Sequence, residues 1–469
     1  MKAGVAAYLV AVSAEVTLRA RIGLGPDLGP SDAQELLRRA ATGPRPATWN
    51  RRMGRPRVDP RHGAHRRVDS LAMVQPAVTL PSLALEEARR VAAGVEAELD
   101  LVLADLEAWV NVDTPGGDVE QLDRLAAMMA HTLDGYGLHP ELVPVPVEDR
   151  GLYLHAALEG AGRARVALLC HHDTVFSSGT ATKRPFRMEG DRCYGPGAAD
   201  MKGGIAVAAH AARLLALGPR PFARLELVSA SDEETRPAAP LTMDRIAGFD
   251  AVLCLECGRV DGSIVSARKG GRWFRIHAAG RPAHAGVDPD GGRNAVLPLC
   301  HEALRLSELH HAREGLTFQV TELVGGQGVN TVPGDAFLTG DLRGPTTADL
   351  DWAMEQVRAF GHHPDVDLRQ EDLGGPPPLE RTPQVASLAA AAIELGASLG
   401  HHFGETSTGG VSDGSWTAWS GTPTLDGLGP VGGEDHTPYE YVETATFATR
   451  AGVVAGLVAA VDAGLLASG

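Results

Sequence analysis

Apolar residues recur at helical spacing along residues 83–112, through Leu85, Ala88, Val91, Val95, Leu99, Leu103 and Leu106, and predict a helix there; a second is expected over 119–133. Short apolar strands then alternate with helices. Residues 165–170 read as a buried strand carrying Val166, Leu168 and Leu169, residues 201–217 as a helix with the small-residue face Gly203, Gly204, Ala206 and Ala209, and residues 225–228 and 251–255 as further strands. Strands that alternate with helices predict an α/β layer with a mostly parallel sheet.

The pattern changes near Lys269. Trp273, Arg275 and His277 alternate with Phe274 and Ile276, a helix is expected over 294–310, strands over 317–324 and 336–342, a helix over 348–360 and a strand over 366–369. That β-α-β-β-α-β order is ferredoxin-like. Gly374-Gly375-Pro376-Pro377-Pro378 then reads as a linker, after which a helix (384–399), a strand (422–425) and a helix (443–466) resume the α/β pattern. The expected organisation is an α/β domain in two parts, 81–268 and 377–469, with an inserted α+β domain over 269–376 and a poorly ordered extension over 1–80.

A chain of 469 residues has ample material for a core, and its net charge of −16 argues against nucleic acid and anionic membrane as partners. The apolar runs fall short of the roughly 18 consecutive residues that cross a bilayer. The 5 cysteines, an odd number set among apolar neighbours, fit a reducing, cytoplasmic setting better than a disulfide framework. Cys254-Leu-Glu-Cys257 has redox spacing, but a strand ending in Glu256 accounts for it better. Residues 1–72 are basic, Arg- and Pro-rich and weakly periodic; 4–14 resemble a short export signal, set against a floppy extension upstream of a credible initiator at Met73.

The candidate chemistry lies in His171, Asp200, Glu234, Glu256 and His436, each expected where a strand gives way to a loop. Two metal ions need about that set: two imidazoles, two terminal carboxylates and one carboxylate to bridge. His171 closes a strand, and Asp173, two residues on, faces the same way and can fix the imidazole tautomer; His172 faces away. Asp200 sits in the glycine-rich turn 195–204, whose spacing matches neither the Walker nor the dinucleotide-binding pattern; a plain helix cap is its bland reading. Glu233 and Glu234 follow a buried strand, where charge is costly without a cation. Adjacent carboxylates suit a division of labour, Glu234 on metal and Glu233 as general base.

In its order of motifs the chain resembles the aminoacylase/carboxypeptidase family of co-catalytic zinc peptidases, and most of all the carboxypeptidase G-type glutamate carboxypeptidases. The resemblance runs from about Leu85 to the C-terminus and rests on His171-His-Asp173-Thr-Val, Gly195-Pro-Gly-Ala-Ala-Asp200-Met-Lys-Gly-Gly, Asp232-Glu233-Glu234, Leu255-Glu256, Ala283-His284-Ala-Gly286, Gly328-Val-Asn330-Thr-Val-Pro, Asp341-Leu-Arg343 and His436-Thr-Pro. It implies two zinc ions per subunit, one on His171, Asp200 and Glu256 and the other on Asp200, Glu234 and His436, with cobalt or manganese as substitutes. It also implies a cis peptide at Asp200–Met201.

By the same resemblance the insert is a lid and the interface of a homodimer. His284 would reach the partner subunit's site and polarise the scissile carbonyl, Asn330 and Arg343 would grip a substrate carboxylate, and Gly410 and Ser412 would touch substrate. The expected activity is hydrolysis of an amide beside a free carboxylate in a small peptide or N-acyl amino acid, with C-terminal glutamate release as one form. An N-acyl- or N-succinyl-amino-acid deacylase is the alternative, and a non-catalytic metal-bound binding protein the rival from another class. Glutamate-specific relatives are expected to carry a further arginine near the end of the insert; here Gly374-Gly375-Pro376 stands at that place, with Arg381 beyond.

Overall fold

The computed structural model describes residues 78–235 and 242–467. The readings made on residues 1–77 lie outside the described residues; Val78 and Leu80, at the end of the expected extension, pack against the core.

The main sheet combines β1 (His139–Val143), β2 (Tyr153–Glu159), β3 (Arg165–His171), β4 (Arg224–Ala230) and β5 (Ala251–Cys254) with one short strand from the far end of the chain. The insert contributes β6 (Gly270–Ala279), β7 (Thr317–Gly325), β8 (Asp335–Gly344) and β9 (Asp367–Asp372), and β10 (Thr424–Leu425) completes the main sheet. Its order is β1-β2-β4-β3-β5-β10. The four strands β4, β3, β5 and β10 run parallel, while β1 and β2 add antiparallel at one side. The parallel strands are covered on both faces, which is why β3 and β4 are near-continuous apolar runs rather than alternating ones.

Helices α1 (Ser82–Ala97), α2 (Leu99–Val110), α3 (Val119–Gly135) and α4 (Gly203–Ala216) lie in the first part of the chain. The helix expected over 83–112 is two helices, broken at Glu98. That residue leaves helical geometry (φ −115°, ψ 25°), and its carboxylate pairs with Arg213 of α4. Gly204 opens α4 with no room for a side chain, since a Cβ there would lie 2.0 Å from the carbonyl oxygen of Leu255. The close approach sets the start of α4 against the end of β5, and so brings the Asp200 turn to Glu256.

In the insert, α5 (Val296–Ser307) and α6 (Thr347–Arg358) cover one face of an antiparallel sheet of order β7-β8-β6-β9. Phe274, Ile276, Leu299, Leu338, Leu342 and Leu350 build a core of its own under them. The opposite face carries Trp273 directly across from Asp341, with Arg343 two residues on. The chain then returns through α7 (Pro383–Ser398), α8 (Asp413–Trp419) and α9 (Phe447–Asp462).

The stretch Thr444–Asp462 corrects the reading that apolar runs are too short to span a bilayer: it is 19 residues long, has an 18-residue window of mean hydropathy 1.5, and passes by length and composition. Yet 83% of the apolar stretch is buried in the fold, as expected of a core helix that is apolar all round.

Candidate metal centre and cleft

The sheet delivers three of the five candidate ligands. His171 is the last residue of β3, Glu256 follows β5, and Glu234 sits in a 3-10 turn, Glu233–Thr235, shortly after β4. The other two follow strands of an accessory sheet rather than of the main one. Asp200 and His436 hang from an accessory antiparallel sheet in which Arg192–Tyr194 pairs with Tyr441–Glu443, and Tyr441–Glu443 with Gly432–Gly433. His436 lies in the loop between the last two strands at φ 61°.

Asp200 stands between the two imidazoles. Its Oδ1 lies 3.0 Å from His171 Nε2 and its Oδ2 3.1 Å from His436 Nε2. Glu256 Oε1 is 3.6 Å from His171 Nε2, and Glu234 Oε1 is 3.3 Å from His436 Nε2. His171, Asp200 and Glu256 form one group of donor atoms all within 4.8 Å of one another, and Asp200, Glu234 and His436 a second. The Asp200–Met201 peptide is cis.

Asp173 acts from behind. It is fully buried, its Oδ1 is 3.3 Å from His171 Nδ1, and its two oxygens accept from the backbone N–H groups of Glu233 (3.1 Å) and Glu234 (2.9 Å). One carboxylate thus orients an imidazole and the acidic turn together. His172 points the other way, to Ser229 Oγ at 3.0 Å, and burial pulls its pKa down to about 3.

Glu440, which sequence reasoning missed, holds the Asp200 turn. Its buried carboxylate accepts from the backbone N–H groups of Gly197 (3.0 Å), Ala199 (2.8 Å) and Asp200 (3.0 Å). The donors that a phosphate would need in this glycine-rich turn are therefore taken by an internal anion. Asp200 is not a helix cap either, because its side chain turns to the imidazoles. The only signal for Glu440 was an acid four residues after His436.

The group carries more negative than positive charge. Asp173, Asp200, Glu233, Glu234 and Glu256 face two imidazoles. Burial, then repulsion from Asp200, raises Glu234 to about 7, and the same two causes hold Glu256 well above the usual carboxylate range. Burial pulls His171 down, but its hydrogen bonds to Asp173 and Asp200 outweigh that and leave it raised; the bond to Asp200 lifts His436 to about 9. Among the described residues Glu234 Oε1 is buried without a hydrogen bond, its 3.3 Å approach to His436 Nε2 falling short of one. An orphaned carboxylate oxygen in a set of imidazole and carboxylate donors fits a divalent cation of zinc type.

Glu233 belongs to neither donor group. Burial, with Asp413, Glu256 and Glu234 nearby, keeps its pKa well above the usual value despite the His171 ring. It opens with Glu234 onto a cleft of about 220 Å³ that also exposes Trp273, Arg343, Ser412 and Trp416. Arg343 gives its Nε and Nη2 to the two oxygens of Asp341, at 2.8 and 3.2 Å. Ser412 lines the cleft, but its hydroxyl is engaged: it donates to Asp426 (2.5 Å) and accepts from Gly414 N at the start of α8. Gly410 is exposed and does not line the cleft; its carbonyl accepts from Arg268.

The structure does not bring His284 or Asn330 into this cleft. They sit together at the paired segments Ala283–His284 and Thr331–Val332, both exposed, with the Asn330 carbonyl accepting from Ala285 N. His284 Nδ1 accepts from Gly286 N and Val287 N, each at 3.1 Å, so a neutral ring carries its proton on Nε2.

A model of the peptidase family M20/M25/M40 matches residues 167–460. Carboxypeptidase G2 of Pseudomonas sp. is 29% identical over 382 residues, 78% of this chain and 91% of that protein. Succinyl-diaminopimelate desuccinylase of Alkalilimnicola ehrlichii is 31% identical over 286 residues, 56% of this chain and 74% of that protein. Among solved structures, aminopeptidase PepT from Bacillus cereus shares the fold with a TM-score of 0.64 and 19% identity, covering 77% of this chain and 98% of its own.

Proposed function

The chain belongs to peptidase family M20/M25/M40, whose members are metal-dependent hydrolases, and from that premise we propose a two-zinc amidohydrolase that cleaves the amide next to a free carboxylate. The observation that carries it is Asp200, reached from both sides by an imidazole, with Glu233 left over beside the pair. One zinc would sit on His171, Asp200 and Glu256, the other on Asp200, Glu234 and His436; cobalt or manganese could replace them. When bound, such ions supply Lewis acidity and bring the pKa of water to about 7.

The chain's own groups do the rest. Asp173 fixes the ring of His171. Arg343 meets the substrate carboxylate with the fork that Asp341 holds in place. Glu233 takes the proton of the attacking water and passes it to the leaving amine, as its raised pKa suits. His284, proton on Nε2, would polarise the carbonyl in the partner subunit's site, with Asn330 beside it; its absence from the lining of this chain's cleft supports a trans role in a homodimer formed through residues 269–376. That unit would be the lid and dimerisation domain, and 81–268 with 377–469 the catalytic domain. The five free cysteines support a cytoplasmic setting.

Both a carboxypeptidase or dipeptidase and an N-acyl- or N-succinyl-amino-acid deacylase share this chemistry, and the two relatives named above favour one each. Zinc-supplied protein is expected to hydrolyse members of a panel of dipeptides, N-acyl amino acids, folyl-glutamate and succinyl-diaminopimelate, and to stop on chelation. Metal-loaded protein inert across the panel would be a binding protein instead. Arg343→Ala is expected to raise KM by roughly 10- to 100-fold, the loss of charge-assisted bonds to a carboxylate. Arg343→Lys should recover little of it, because the bidentate geometry is gone. An unchanged KM would remove Arg343 from substrate binding.

A further inference from the structure

We infer that the residue whose carboxylate meets Arg343 carries an apolar or aromatic side chain rather than a second carboxylate, as glutamate does; this rests on the amide-hydrolase reading. The cleft beside Glu233 is walled by Trp273 from β6 and Trp416 from α8, with Pro376 and Val411 completing the apolar surface. Trp273 stands on the face of the insert's sheet turned away from its own core, across from Asp341, and the Arg343 guanidinium lies 5.7 Å from its ring centre. Two indoles at one cleft offer flat apolar area with little conformational freedom to lose, which suits an aliphatic or aromatic group.

Charge points the same way. Among the described residues lining the cleft, Arg343 is the one cation, and part of its fork is already given to Asp341. Arg268, which donates to the carbonyl of the lining residue Val411, and Arg381 are both committed. Arg268 is buried against Asp426 at 2.7 Å, behind Ser412, and Arg381, beyond Pro376 in the chain, closes a two-point pair on Glu405 at 2.9 and 2.7 Å. A glutamyl group brings two carboxylates. One can meet Arg343; the other would enter a cleft where Glu233 and Asp413, neither of them in a metal donor group, already stand, and among the described lining residues there is no second guanidinium to receive it. Pro376, at the end of the stretch Gly374-Gly375-Pro376, adds apolar surface there.

The test compares N-acetyl-L-phenylalanine with N-acetyl-L-glutamate on zinc-supplied, full-length protein. The expected kcat/KM is at least about tenfold higher for the phenylalanine substrate. In Trp416→Ala that ratio should fall towards one, and in Pro376→Arg it should move towards glutamate; if Trp416→Ala does not fold, the Pro376→Arg ratio decides. Equal or faster hydrolysis of the glutamate substrate overturns the inference and leaves the hydrolase reading intact. If neither is hydrolysed, that reading fails for these substrates, and calorimetric binding of the same two compounds decides the pocket's preference. Tighter N-acetyl-L-phenylalanine supports the inference; equal or tighter N-acetyl-L-glutamate, or no binding of either, overturns it.

Discussion

Glu233→Gln is expected to lower kcat by roughly 10²- to 10⁴-fold, the usual contribution of a positioned general base, while metal content stays at the parent level. The variant keeps the side chain's length and its backbone N–H to Asp173, so the turn that presents Glu234 is retained. It removes only the capacity to take a proton. Glu233 is absent from both donor groups, whereas Glu234, one residue on, is a member of the second. Glu234→Gln should therefore behave differently, losing metal as well as rate. Metal analysis beside steady-state kinetics separates the two. A Glu233→Gln protein with near-parent kcat, or one that loses metal in step with activity, would sink the division of labour between these neighbours.

The placement of Glu234 in a donor group with Glu233 left beside it was legible in the chain because it depends on local order: two acids after a buried strand, one more than a metal needs. The strands β3, β4 and β5 were legible for a similar reason, since burial on both faces leaves an unmistakable apolar run. The edge strand β1 and its neighbour β2 were not. β1 includes Pro140 and Glu141, and β2 is Tyr-Leu-His-Ala-Ala-Leu-Glu, with a histidine and two alanines where a buried strand should be branched. What makes that strand tolerable is remote: His155 faces Glu226 of β4 at 3.3 Å, and Glu226 in turn holds Arg224 and Arg245 at 2.7 Å each.

Glu440 and the accessory sheet were hidden for the same physical reason. The Glu440 carboxylate finds its three donors some 240 residues earlier in the chain, and no periodicity records a partner at that distance. The expectation that Ser412 touches substrate came from the likeness of residues 409–414 to a loop beside the metals. The structure spends its hydroxyl on Asp426 and the first turn of α8, while the next turn of that helix brings Trp416 to the cleft.

The metal-free protein should lose stability as the pH rises from 5.5 to 8.5. Burial and the neighbouring carboxylates raise Glu233, Glu234 and Glu256, Glu234 to about 7, while the hydrogen bond to Asp200 raises His436 to about 9. Each of these folded-state values lies above its unfolded one, so the fold favours the protonated form. That contribution is complete below the unfolded values, about 4.3 for glutamate and 6.5 for histidine, and is lost as the pH climbs through the folded values. Asp173 and Asp200 are shifted downward; their contribution is present above about pH 4 and stays constant across this range. A divalent cation takes the place of the bound protons, so zinc should raise Tm more at pH 8.5 than at pH 5.5. Thermal unfolding with and without chelator at the two pH values measures both trends. A metal-free protein whose Tm rises across that interval, or a zinc increment that shrinks, would mean that the acids around Asp200 are not crowded in the way the distances indicate.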